Sequence, residues 1–410
     1  MKIVMVHNAY RQAGGEDVVF ENERRLLEQA GHTVIPYLRS NLELNEDSFF
    51  DRIAVLPRMI WSSEVRREFS AILDAQRPDL VHVHNTFMVI SPSIYSACSE
   101  RRIPVVQTLH NFRLLCPAAN FFRAGIICQE CVSQGLLQSV RHGCYRNSRG
   151  ATASVALMLA VHRALDTWTA SVSRFIALTE FAKNKFVAAG FPPCRFVVKP
   201  NFIDPDPQER VGMGEYALFV GRLAENKGLR LLLNAWKHLP RSYPLQVVGD
   251  GPERAELQAL ACQFQLSQVT FRGRLERAAT LEAVKKAKFL IVPSTLFEGF
   301  PMCIVESFAC GTPVLCSRLG GLAEIVEDKR TGLHFQSGYE QDLANKVKWA
   351  WDHPCELARM GRAARQKYEA NYTAAKNYSL LMGIYRQVMT ASHFPGFTVQ
   401  AAPPRMANSI

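Results

Sequence analysis

No stretch of this sequence is long and apolar enough to cross a bilayer. The longest largely apolar run, 153–161, ends at His162 and Arg163, well short of the ~18 residues that spanning needs. The N-terminus lacks the apolar core of a secretion signal, because Lys2 is followed by four apolar residues and then by His7 and Asn8. The expectation is a cytoplasmic protein. The G-x-G-x-x-G fingerprint of dinucleotide binding is also missing, since the first loop carries only Gly14 and Gly15. No helix-turn-helix or RRM signature is present, so nucleic acid is not an expected partner. No metal-binding pair of aspartates is found, and no catalytic metal is expected.

What the sequence does hold is ordinary globular material in quantity. Its 410 residues are 48% hydrophobic and 21% charged, enough for two or three domains with cores of their own. The net charge of +11 is unevenly placed: residues 101–200 carry thirteen Lys or Arg against Glu130, Asp166 and Glu180, a net of +10. Such a region fits an anionic partner, or a solvated basic face with no partner. Eleven cysteines in a cytoplasmic protein are expected to be reduced. Cys303, Cys310 and Cys316 lie in apolar runs and read as small core residues.

Apolar, β-branched runs alternate with helical patterns along the chain. Met1–Val6, Thr33–Tyr37, Leu80–Val83, Val105–Leu109, Phe175–Leu178 and Phe196–Val198 read as strands. Pro205, Pro207, Gly212 and Gly214 mark 201–214 as a linker. The alternation then restarts with Tyr216–Val220, Leu245–Val248, Val269–Phe271, Phe289–Val292 and Pro313–Cys316. The fold class is therefore α/β, with two Rossmann-like domains facing across a cleft. The expected division is 1–200 with a Cys-rich insert at 111–150, a linker at 201–214, a second domain at 215–370, a helix at 371–390 packing back on the first domain, and a disordered tail at 391–410. Ligands of open parallel sheets bind beyond the carboxyl ends of the strands.

Glu298-Gly-Phe-Pro-Met-Cys-Ile-Val-Glu306 follows one such strand. A fully helical eight-residue separation would rise ~12 Å, which suits two ends of one elongated ligand. The helix start between the two carboxylates offers free N–H groups for a diphosphate. The plainer reading is a strand–loop–helix with two surface glutamates. Arg222 and Lys227, in Gly-Arg-Leu and Asn-Lys-Gly turns after Tyr216–Val220, could both reach a phosphate. Gly14 and Gly15 permit close approach to a ligand from the opposite wall.

Together with Val248-Gly-Asp-Gly-Pro252 and Phe271-Arg272-Gly273, these features resemble the retaining glycosyltransferase family numbered 4, which has the GT-B fold. The resemblance covers about residues 1–390. It implies a donor site made of Glu298, Gly299, Phe300, Pro301 and Glu306, with Glu298 on the donor sugar and Glu306 on the ribose. It implies Arg222 and Lys227 on the leaving diphosphate and the backbone of Gly273 and Arg274 at the nucleobase. It also implies a catalytic histidine touching the sugar, which Thr108-Leu109-His110 matches. His7 and His84 follow strands too and read as making local hydrogen bonds. The expected partners are a nucleotide-sugar donor and a glycan or lipid-diphosphate-linked acceptor, in cell-surface polysaccharide synthesis. A sugar-nucleotide epimerase of the same fold is the alternative.

Cys116, Cys128, Cys131 and Cys144 form a C-x11-C-x2-C-x12-C pattern. Four thiolates at such spacing suit a structural zinc, with free thiols, an iron–sulfur cluster or disulfides as the other readings. Residues 51–69 combine Leu56, Met59, Ile60, Trp61, Val65 and Phe69 with Arg52, Arg58, Arg66 and Arg67. An amphipathic helix of this kind would dock on an anionic membrane, or else turn its apolar face inward.

Overall fold

Buried parallel strands need apolar side chains on both faces. In the computed structural model, which describes residues 1–11, 14–44 and 57–392, the first half supplies them in β1 (Lys2–Ala9), β2 (Thr33–Ser40), β3 (Leu80–Asn85) and β4 (Val105–Leu109). The insert then contributes a separate two-stranded hairpin, β5 (Phe122–Arg123) and β6 (Ile126–Ile127), before β7 (Arg174–Ala177) and β8 (Phe196–Val198) complete the sheet. The order is β2-β1-β3-β4-β7-β8, with neighbouring strands parallel.

Val4 and Val6 of β1 join one core cluster, while Ile3 and Met5 join the other, on the opposite face. This is the two-residue period of a strand covered on both sides.

The second half repeats the architecture with β9 (Tyr216–Val220), β10 (Leu245–Val248), β11 (Val269–Gly273), β12 (Ala287–Val292), β13 (Val314–Ser317) and β14 (Gly332–Phe335). Its order is β11-β10-β9-β12-β13-β14, again parallel. The strand order reverses between β1 and β3 in the first sheet and between β9 and β12 in the second. Crevices at such reversal points are where open α/β sheets take ligands.

The chain crosses between the domains twice. Residues after Lys199 lead into the second domain, and the helix Ala374–Ser392 returns to the first. Ile203 and Thr373 bridge the two crossings. On the returning helix Leu381, Tyr385 and Val388 pack with Ile3, Met5 and Phe20. The helix reaches Ser392, two residues into the segment read as a tail; from 393 onward the chain lies outside the described residues.

Of the two readings of 51–69, the described residues show the apolar face turned inward. Arg52 and Leu56 lie outside the described residues. Met59, Val65 and Phe69 are buried in the first-domain core, and Arg66 pairs with Glu100 at 2.5 Å. The apolar face of this segment thus covers its own domain, and among its described apolar side chains Trp61 alone stands open, at 43% exposure.

Candidate active site

The second domain builds one wall from three stacked turns. Gly221 N donates to the Val248 carbonyl at 3.0 Å, and Gly249 N to the Gly273 carbonyl at 2.8 Å. Gly249 has φ +142°, and a Cβ there would lie 1.8 Å from the Gly221 carbonyl oxygen. Only glycine fits such an approach. The turns after β9, β10 and β11 are thereby locked together, with Arg222 and Arg274 exposed at their surface.

The turn holding Lys227 is fixed the same way. Gly228 has φ +73°, a Cβ on it would meet the Pro293 carbonyl oxygen at 1.9 Å, and Asn226 O accepts from Thr295 N at 3.1 Å. These contacts join the end of β9 to the end of β12, at the strand-order reversal. There Lys227 Nζ reaches both oxygens of Glu298, at 2.7 and 2.9 Å. Ser294 Oγ donates to Glu298 Oε1 at 2.6 Å. Burial alone would lower the Lys227 ammonium, but the charge and hydrogen bonds of Glu298 outweigh it and hold the group above its ordinary value.

The helix Met302–Ala309 starts just beyond, with Pro301 at its N-cap and no side chain capping it. Its first N–H groups are left for a ligand. Glu306 lies on this helix, and burial raises its carboxyl, with Arg277 opposing. The Phe300 ring does not stand open to a ligand: it is buried against Tyr372, ring centroids 6.0 Å apart.

The first domain meets this wall directly. A Cβ on Gly299 would lie 2.3 Å from the His110 carbonyl oxygen, so the glycine lets the Glu298 loop touch the loop after β4. A Cβ on Gly15 would come within 3.9 Å of Met302 Cγ. Gly14 N donates to Asp17 Oδ2 at 2.6 Å, and Asp17 Oδ1 binds His7 Nε2 at 2.8 Å. These contacts bring His110, Gly15, Glu298, Lys227 and the start of the Met302–Ala309 helix together where the two domains meet; beside His110, Asn111 and Arg113 lies a small pocket lined by first-domain residues. Farther along, Glu324 of the second domain accepts from Glu180 N and Phe181 N of the first, both at 2.8 Å. A carboxylate there also favours the positive end of the Glu180–Ala188 helix.

Several polar groups around the cleft escape sequence reasoning. Ser294 sits four residues before Glu298 with no motif to mark it. The Asn111 amide donates to Glu16 at 2.7 Å across 95 residues of sequence. Glu23 did leave a trace, as a carboxylate on the buried stripe of Val19, Phe20 and Leu27.

The four insert cysteines are all free thiols in one corner of the first domain. A hydrogen bond from Cys131 pulls the Cys116 thiol down, and the Cys144 sulfur is within electrostatic reach of Cys116 and Cys128. Their sulfurs are more widely spread than a closed metal site. Among the described residues the group whose ligand atoms all lie within 4.8 Å of one another is Glu23, His82 and His84. Lys199 already occupies Glu23 there, with Nζ 2.5 Å from the carboxylate.

Two family models match the two halves, "Glycosyltransferase Family 4" over residues 13–207 and "Glycosyl transferases group 1" over 202–367. In structure, a sucrose-phosphate synthase from Thermosynechococcus elongatus superposes with a TM-score of 0.70 at 18% identity, covering 95% of this chain and 99% of its own. The HepE protein of Anabaena, solved with UDP, gives 0.68 at 18% identity over 94% and 100% of the two chains. The chain has the GT-B fold of glycosyltransferases. A D-rhamnosyltransferase of Pseudomonas aeruginosa is 32% identical over 41% of this chain and 44% of its own length. A glycogen synthase of Mycobacterium tuberculosis is 27% identical over 72% of this chain and 66% of its own. The chain spans about half the length of the first curated relatives it matches, 44% and 50%.

Proposed function

We propose that this GT-B protein is a retaining transferase that moves a sugar from a nucleotide-sugar donor to a glycan or lipid-diphosphate-linked acceptor in cell-surface polysaccharide synthesis. The observation that carries the reading is the Lys227 ammonium held on Glu298 at 2.7 and 2.9 Å, beside an uncapped helix start. Breaking the bond between the sugar and the diphosphate develops positive charge on the sugar and negative charge on the leaving group. Lys227, Arg222 and the first N–H groups of Met302–Ala309 are fixed donors for that negative charge. In this reading Glu298 faces the sugar and Glu306 the ribose, while the backbone at Gly273 and Arg274 meets the base. Arg222 and Lys227 take the place of a divalent cation. The HepE structures contain UDP and, in one case, UDP-glucose, which makes uridine the first base to test.

Transfer and epimerisation differ in what releases the nucleotide. The protein is expected to liberate nucleoside diphosphate from its donor faster when an acceptor glycan is added. Conversion of the nucleotide sugar to an isomer without nucleotide release would overturn the reading in favour of an epimerase.

Two further parts belong to this proposal. A structural zinc on Cys116, Cys128, Cys131 and Cys144 would hold an insert whose own elements are too short to order it: two two-residue strands and helices of four and six residues. The site would close around the metal, drawing in sulfurs that stand apart in this structure. The basic first domain would bring the enzyme to an anionic membrane on the cytoplasmic side, where a lipid-linked acceptor resides.

A further inference from the structure

A buried polar chain leads from the domain crossing to His110. Lys199, just before the crossing, places Nζ 2.5 Å from Glu23 Oε1. Glu23 Oε2 stands 3.5 Å from His84 Nε2, and neither atom has a hydrogen-bond partner inside the usual distance. His84 Nδ1 in turn lies 3.0 Å from His110 Nε2, with ring centroids 5.2 Å apart and ring planes 22° from parallel, the side-by-side arrangement of an in-plane N–H···N bond. The side chains of Lys199, Glu23 and His84 are all 0% exposed.

The neighbours leave one arrangement of protons. His82 is the other imidazole near Glu23 Oε2, at 3.9 Å, but its Nδ1 is engaged by the Tyr385 hydroxyl at 2.8 Å and its Nε2 by the Thr108 hydroxyl at 2.9 Å. His7 stands edge-on to His84 at 6.4 Å, with its Nε2 on Asp17. Burial holds His84 and His110 well below the ordinary histidine range, so each is neutral and carries one N–H. Glu23, ion-paired to Lys199, only accepts. The proton that faces its Oε2 is therefore the Nε2–H of His84. His84 Nδ1 is then a lone pair, and the hydrogen bond to it must come from His110 Nε2–H. That leaves His110 Nδ1 unprotonated.

We infer that Glu23 and His84 are positioning residues that set His110 in its Nε2–H tautomer, with Nδ1 presented to the cleft as an acceptor for a ligand hydroxyl. Among the described residues nothing hydrogen-bonds to Nδ1, and His110 lines a first-domain pocket while its carbonyl oxygen lies against Gly299 of the second domain. A sugar is the ligand class that brings hydroxyl donors, and this part rests on the donor-site reading above. The arrangement casts His110 as a hydrogen-bond acceptor and not as a general acid. Because the chain is anchored at Lys199 and flanked by Tyr385 of the returning helix, it ties the tautomer to both crossings between the domains.

The test is nitrogen NMR of the full-length protein labelled at histidine, with His110 assigned by its loss in His110→Gln. The expected result is a neutral His110 protonated at Nε2 through neutral pH. His84→Leu should release it to a mixture of tautomers that titrates nearer the ordinary value. His84→Gln, whose amide can accept from His110 and donate to Glu23, should restore the wild-type signature. Sugar transfer by the leucine variant should fall by about tenfold or more through kcat, with the glutamine variant partly recovered. A wild-type His110 protonated at Nδ1, or a tautomer indifferent to both substitutions, would overturn the inference. If His84→Leu does not fold, the wild-type tautomer and His84→Gln still decide. A protein that transfers no sugar yet shows the Nε2–H tautomer would uphold the positioning chain and sink the functional reading instead.

Discussion

Three of the buried imidazoles carry a pH dependence whose sign follows from their burial. Burial pushes His82 down to about 4 from an ordinary 6.5, and pushes His84 and His110 well below 6.5. The unfolded chain binds these protons near 6.5 and the folded chain does not. Their contribution to stability is thus fully present above 6.5 and is lost as pH falls from 6.5 through the folded value. Each can add a slope of up to about 1.4 kcal/mol per pH unit in that window. Thermal melts should show a lower Tm at about pH 5 than at pH 7, with a shallower dependence in His82→Asn. A Tm flat between those values would contradict this picture. At this scale Glu298 and Glu306, with Arg222 and Lys227, could be picked out because they lie in a recognisable order near glycine turns. His84, the direct partner of His110, could be picked out as following a strand, but its link through Glu23 to Lys199 could not, because those two residues are 176 apart and no local pattern joins them.

Strands buried on both faces announce themselves as short runs of Val, Ile, Leu and Phe, which is why the central strands of both sheets were readable. β14 was missed because Gly332 opens it and His334 interrupts its apolar run. The hairpin of β5 and β6 was missed because two residues per strand carry no period. The insert that holds this hairpin is the element with most to gain from a metal. It touches the second domain, where Gly125 comes close to Glu225 and Phe121 lies 6.4 Å from the Phe297 ring. Protein purified without a metal-affinity tag is expected to carry one zinc per chain by elemental analysis. Cys128→Ser should lose the zinc and unfold the insert, read as faster proteolysis within 111–150. No metal in the wild-type protein would mean four free thiols.

Across the whole molecule the two sheets turn their strand ends toward each other, and the functional groups come from both. Neither the closeness of Gly299 to His110 nor the Glu324 cap on the opposite domain is a property of any one segment, so neither could be read from the sequence. The charge is equally lopsided, with the +10 excess in residues 101–200 on the first domain. The expected consequence is reversible binding to vesicles containing anionic lipid, weakened by salt. Since Met59, Val65 and Phe69 are in the core, attraction by charge rather than insertion should dominate, and Arg67→Glu should weaken it. Sedimentation with such vesicles at low and high salt checks this, and no binding at low salt would point to a soluble acceptor.

The central claim is a nucleotide-sugar site in the cleft, built on Lys227, Glu298 and Glu306. Its most direct test is a thermal-shift titration with UDP-, GDP- and ADP-sugars on the wild type, Lys227→Ala and Glu306→Ala. One donor should raise the wild-type Tm in a saturable way, since a ligand at a hundred times its Kd stabilises by about 2.7 kcal/mol. Glu306→Ala should weaken that donor by roughly 1.5–3 kcal/mol through lost hydrogen bonds to a charged group, and Lys227→Ala should also reduce the shift. No shift with any donor, or a shift that both variants keep in full, would contradict the account.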